Sequence, residues 1–285
     1  MPSPHLDPCV PAGSPWPGSA SPLPQAAASL GRCVFAACFV ALGALSWIFG
    51  DFVVGRAPAW PEGLPGRVAF VWTTGAAFIG CGMALLARRR EPEAAIVAGV
   101  LIFGWAVARL IPVVAADAFI GGSWTQLGKA CVFLGGLAAL VVPSMPERTV
   151  DGQRVGRIAL GGFMILAGFQ HFRWDEFVAT LVPVWVPGGG AFWTYASGVL
   201  LILGGTGLCI ARTAVVAALL SGLMILLWVP MLHIPRALAA TGTSMSQNEW
   251  TAVFEATAFG GLAWFLAGVS CRRRPRDPVR RRATR

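Results

Sequence analysis

The sequence predicts an all-α, polytopic membrane protein, with eight transmembrane helices arranged as two parallel four-helix repeats. Three observations carry that prediction. Of the 285 residues, 56% are hydrophobic and only 12% charged, with a mean hydropathy of +0.67, whereas charged residues make up about 25% of a soluble domain. Apolar runs of membrane-crossing length recur eight times along the chain. The chain also matches itself at an offset near 125 residues.

Residues 1–28 hold eight prolines among Ser, Gly and Ala, without a basic start or an apolar core. They are expected to be a disordered cytoplasmic tail, neither signal peptide nor helix. The apolar runs follow near 31–53, 67–87, 94–116, 124–142, 157–180, 191–211, 214–234 and 249–270. Each approaches the 20 or so residues that cross about 30 Å of hydrocarbon at about 1.5 Å per residue. Residues 29–143 thus form a first four-helix unit, 144–156 a charged cytoplasmic linker, 157–271 a second unit and 272–285 a basic cytoplasmic tail.

Orientation follows from the basic residues, which favour cytoplasmic loops. Sixteen of the 22 lie on the side of the termini: Arg32, Arg88 to Arg90, Arg148, Arg154, Arg157, Arg212 and the eight arginines from 272 onward. Only Arg56, Arg67, Arg173 and Arg236 fall on the other side, and Arg109 and Lys129 lie within spans. This predicts both termini in the cytoplasm; the expected setting is a bacterial inner membrane. Basic clusters between apolar runs orient helices and touch anionic lipid, so the net charge of +9 does not imply a nucleic-acid partner. The seven cysteines include no Cys-x-x-Cys pair, and five sit inside apolar runs, which argues against a thiol relay.

The internal match is extensive. Ser46-Trp47 through Asp51-Phe52 to Trp60 corresponds to His171-Phe172 through Glu176-Phe177 to Trp185. Trp105 with Ile111-Pro112 corresponds to Trp228 with Ile234-Pro235, Trp124-Thr125 to Trp250-Thr251, and Gly135-Gly136 to Gly260-Gly261. An even number of spans per unit keeps both copies in one orientation, unlike the inverted repeats of many transporters.

Candidate chemistry concentrates in the second unit. His171 lies within the fifth run and Asp175 and Glu176 one turn beyond it; His233 closes the seventh run, and Glu255 falls in the eighth, which opens on the capping-box pattern Ser246-Gln-Asn-Glu249. Ionisable groups inside a membrane are costly and ask for a function. His171, Glu176, His233 and Glu255 are the candidates for a proton or quinone site, because an imidazole beside a carboxylate exchanges protons near neutral pH. Trp185, Trp193, Tyr195 and Trp250 are the candidate walls for a bound ring. The competing structural reading is that His171 and Glu255 hold helices together by hydrogen bonds and that the tryptophans anchor the interface. A haem bridging His171 and His233 is disfavoured by the two turns of depth between them, and no closely spaced metal motif is present. In the first unit Ser46 replaces His171 and Leu110 replaces His233, while Lys129 and Arg109 are expected to pair with Asp117 or Asp51 inside that half. That unit reads as structural or regulatory.

The motifs Gly168-Phe-Gln-His171-Phe172, Val182-Pro183-Val-Trp185-Val-Pro187, Phe192-Trp193-Thr-Tyr195-Ala-Ser-Gly198 and His233-Ile234-Pro235 resemble the DoxX and DoxD-like membrane proteins. The likeness covers about 157–270 and is echoed, without the histidines, over 31–142. It implies four-helix membrane units associated with redox systems, including a subunit of a thiosulfate:quinone oxidoreductase, and hence redox partner subunits. The expectation is a membrane subunit of a quinone-linked oxidoreductase. A small-solute carrier or channel and a non-catalytic scaffold for partner enzymes are the alternatives.

Overall fold

The computed structural model describes residues 22–52, 65–116, 119, 121–141 and 151–272. Among them eight helices are long and apolar enough to cross a membrane, and no strand occurs. They are α1 (Pro22–Phe49), α2 (Arg67–Leu86), α3 (Glu91–Ala116), α4 (Gly122–Val141), α5 (Gly152–Arg173), α7 (Gly189–Cys209), α8 (Ala214–Ala239) and α9 (Ser246–Arg272). A short helix, α6 (Asp175–Leu181), lies between α5 and α7.

Three boundaries differ from the expected ones. The tail expected over 1–28 is helical from Pro22, because Pro22 and Pro24 fall in the first turn, where the missing N–H has no partner to lose. Residues 1–21 and 273–285 lie outside the described residues. The linker expected over 144–156 ends early: the Asp151 carboxylate accepts from the amides of Gln153 and Arg154 at 3.1 and 3.3 Å, an N-cap that starts α5 at Gly152. The fifth run, expected to continue to 180, breaks at Trp174, whose φ of −126° and ψ of 39° leave the helical region. Asp175 and Glu176 therefore open α6 instead of extending the turn above His171.

Two π turns interrupt otherwise α-helical spans, at Ala106–Leu110 in α3 and Val229–His233 in α8. Their residues correspond at an offset of 123. Each is followed after one residue by a proline, Pro112 or Pro235. A proline ring pushes on the carbonyl four residues back, and the chain answers with wider bonds: the amides of Ile111 and Ile234 donate to the carbonyls of Ala106 and Val229.

The neighbour relations follow one pattern in both halves. The first helix of each half packs on its second, α1 on α2 and α5 on α7, and the third on the fourth, α3 on α4 and α8 on α9. First and fourth helices then pair across the halves, α1 with α9 and α4 with α5. Glycines set these crossings. A Cβ on Gly31 would run into the Gly261 carbonyl, and one on Gly161 would come within 2.6 Å of the Gly205 carbonyl, so the backbones touch where no side chain intervenes.

The core is continuous through both halves. In its middle, aromatic rings meet in series: Phe39 and Phe133 at 5.5 Å, Phe133 and Phe259 at 5.3 Å, and Phe259 and Phe163 at 5.4 Å. From there to the face where α1 begins and α9 ends, Leu137, Leu140, Leu262, Ala263 and Leu266 are buried and apolar. Toward that same face α1 and α3 are joined by an ion pair, Arg32 with Glu91 at 2.7 Å; the opposite face is called the far face here.

Candidate functional site

At the centre of the molecule, one turn above the phenylalanine rings, Lys129 of α4 meets Glu255 of α9. The Lys129 ammonium donates to Glu255 Oε2 at 2.6 Å. Glu255 is 2% exposed. Counted along their helices, Lys129 lies about 10 Å and Glu255 about 14 Å below the far-face ends. The two residues occupy matching positions in the sequence of the halves, and the pair forms because each fourth helix, packed on the first helix of the other half, comes near its counterpart at the middle of the fold. Glu255 Oε1 is buried without a hydrogen-bond partner, as is Oε1 of Gln126, one turn above Lys129 on α4. Burying two charges costs several kcal/mol each unless they pair well, and a buried acceptor without a donor costs about 1–3 kcal/mol more.

Toward the far face a second ion pair joins α8 to α9. Arg236 grips Glu249 with both ends of its guanidinium, Nε–H donating to Oε2 at 3.0 Å and Nη2 to Oε1 at 2.7 Å. This bidentate geometry is the strong form of the interaction. The amide of Ser246 donates to the Thr243 carbonyl at 3.1 Å, so it is not free to receive the Glu249 carboxylate as the capping-box pattern anticipates. His233, the last residue of the π turn in α8, lies among Lys129, Arg236 and Glu249, its nearest charges. Arg236, Glu249, His233, Lys129 and Glu255 thus form a line of polar groups from the far face to the centre. It ends on the apolar plug.

The structure divides the residues singled out from the sequence. His233 and Glu255 belong to this line. His171 does not: its Nδ1–H donates to the carbonyl of Ala167 at 2.7 Å, within α5. Ser46 does the same from the corresponding place, donating to Leu42 at 3.1 Å. His171 and Glu255 therefore have separate partners. Glu176 is exposed at the start of α6. Trp185, 58% exposed, Trp193, whose Nε1–H donates to the Pro187 carbonyl at 2.6 Å, and Tyr195 gather at the far-face end of α7. Trp250 lies on α9, half-buried against the core.

The pairing expected for the first half is corrected. Lys129 reaches across to Glu255, and Asp51 is held by Arg67 at 3.2 Å, because α4 packs at the junction of the halves. Arg109 lies over the Trp105 ring at 5.7 Å; Asp117 is outside the described residues. Sequence reasoning missed Lys129 and Arg236 as members of the site. A signal for the first was present, since Lys129 and Glu255 carry opposite charges at positions that match in the sequence of the two halves.

At the far-face edge Tyr195 Oη–H donates to Asp175 Oδ2 at 2.6 Å. That bond, seconded by the Glu176 amide, holds the Asp175 carboxyl below its ordinary range. The bond's contribution is therefore present above the ordinary aspartate pKa and is lost as pH falls through the lowered one. Tyr195 is the chain's one tyrosine, so a ring-carbon label gives a single resonance. Its pH-dependent shift is expected to have a midpoint below 3.8, the ordinary value for aspartate. The shift should vanish in Asp175→Asn.

Eight apolar helices around a buried polar centre define a polytopic integral membrane protein. A family model described as a domain of unknown function (DUF8561) matches residues 160–258. The matched stretch contains His171, His233, Arg236, Glu249 and Glu255 and leaves Lys129 outside. No curated protein and no solved structure matches the chain.

Proposed function

We propose that this protein is a membrane subunit of a quinone-linked redox system, of the DoxX type, in which the Lys129–Glu255 pair and His233 exchange protons with the far face. The observation that carries the reading is the Lys129–Glu255 ion pair itself, buried, with one carboxylate oxygen open. Quinone reduction consumes protons as well as electrons, and a carboxylate, an ammonium and an imidazole in series can supply them. Quinone carbonyls accept hydrogen bonds, and Lys129 and His233 are the donors at hand. The proposed setting is a bacterial inner membrane with both termini in the cytoplasm, supported by the basic residues on the face opposite the polar line.

One feature weighs against a carrier or channel: beneath the Lys129–Glu255 pair the Phe133 and Phe259 rings, Leu137, Leu262 and Leu266 are buried and apolar. A scaffold reading predicts that the pair can be replaced by apolar residues with no loss beyond stability.

The test is made on protein purified in lipid nanodiscs, with oxidised and reduced absorption spectra and extraction of bound quinone. Wild type is expected to retain quinone. Glu255→Gln, which keeps the shape and removes the charge, is expected to lose it or to lose its reduction. His171→Ala is expected to keep both. Loss in His171→Ala alone would move the site to the α5–α7 seam. A quinone-free, colourless wild-type protein would overturn the redox reading.

A further inference from the structure

Lys129 carries three N–H donors, and two acceptors flank it that are both buried and both without a partner: Oε1 of Glu255 and Oε1 of Gln126. Gln126 is only 9% exposed. Residues three apart on a helix are neighbours, with Cβ atoms about 5–6 Å apart, so the Gln126 amide lies within a side-chain rotation of the ammonium. A buried amide oxygen left open beside a lysine that is already paired is an expense with no structural return.

We infer that Gln126 is the second seat of the Lys129 ammonium, and that protonation of Glu255 moves the lysine from one seat to the other. The inference rests on reading the Lys129–Glu255 pair as the working site, but it involves no quinone and no partner protein. A proton arriving from the far face bonds to Oε1, the free oxygen of the Glu255 carboxylate. The carboxylate becomes a neutral carboxyl, no other covalent bond changes, and the pair goes from no net charge to a single positive charge on Lys129. The ammonium, no longer held by an anion, takes the Gln126 oxygen. Loss of the proton reverses the move.

The groups around this pair fit the switch. From α8, His233 lies among Lys129, Arg236 and Glu249, and Arg236 is committed to Glu249 of α9. From α1, Ser46 is bonded to its own helix, as is His171 of α5. On α3, which packs behind α4, Arg109 lies over Trp105. No second carboxylate among the described residues takes the lysine from Glu255. Because Lys129 belongs to one half and Glu255 to the other, the move makes and breaks the central polar tie between the halves, and a proton becomes a change in their contact.

The experiment is infrared difference spectroscopy of the full chain in quinone-free nanodiscs, following the carbonyl stretch of the protonated Glu255 carboxyl against pH. The band is assigned by its absence in Glu255→Gln. Gln126→Leu removes the second seat, disfavours the protonated state and is expected to lower the midpoint by about one pH unit or more, the size of a hydrogen bond to a charged group. Gln126→Glu draws the lysine away and sets a second negative charge beside Glu255, so it is expected to raise the midpoint. A midpoint unmoved in both variants, or a band that no accessible pH produces, would overturn the inference. Either result stands apart from quinone extraction, so failure of the redox reading and failure of the switch are separately visible.

Discussion

Glu255→Leu, made while Lys129 remains, is expected to lower the free energy of unfolding by about 3–5 kcal/mol, because it strands an ammonium that is 14% exposed in an apolar bundle. Lys129→Met is expected to do the same to the carboxylate. The double replacement should recover most of the loss, since two apolar side chains of similar volume fill the place of a pair whose desolvation consumed much of its attraction. Recovery of stability without recovery of function is the signature that separates a working pair from a structural one. The cycle is measured by reversible unfolding in mixed micelles, alongside proton uptake in nanodiscs. If the two single effects simply add, the residues do not interact in the membrane.

The second large effect is expected at Gly31. A side chain there would meet the Gly261 carbonyl, and its Cβ would lie 2.7 Å from the amide of Phe265. Both are backbone atoms of a helix and cannot swing aside as a side chain can. Gly31→Leu is therefore expected to force α1 and α9 apart and to cost about 3 kcal/mol or more. Gly104→Leu is the control. A Cβ on Gly104 has no atom within 4 Å, and the substitution is expected to stay within about 0.5 kcal/mol of wild type. Equal losses at both positions would mean that leucine harms these helices by some route other than the α1–α9 crossing.

What could be read from the sequence depended on the range of the interaction. Hydropathy is local, so all eight spans were legible. The start of α1 was not, since residues 22–28 share the Pro- and Ala-rich composition of the tail, and a proline in a first turn costs the helix nothing. The break at Trp174 was hidden because Phe172, Trp174, Phe177 and Val178 keep the run apolar across the bend. The π turns were hidden too, although the matched prolines at 112 and 235 marked the places. His233 and Glu255 were legible as ionisable groups at depth. Their partners were not, for a different reason: Lys129 and Glu255 are 126 residues apart. That contact exists only because the first and fourth helices pair between halves, and nothing in a helical period specifies this. His171 was the most conspicuous residue in the sequence and proves to be bonded within its own helix.

A lysine of one half and a glutamate of the other, each dependent on the other's charge, form the buried ion pair between the halves. Reversing the charges tests it most directly. Lys129→Glu alone places two carboxylates together, Glu255→Lys alone places two ammonium groups together, and each is expected to destabilise or unfold the protein. The double reversal, Lys129→Glu with Glu255→Lys, rebuilds the pair in the opposite sense. Stability restored to near the wild-type value is the predicted result. A double reversal no more stable than either single variant would contradict the account.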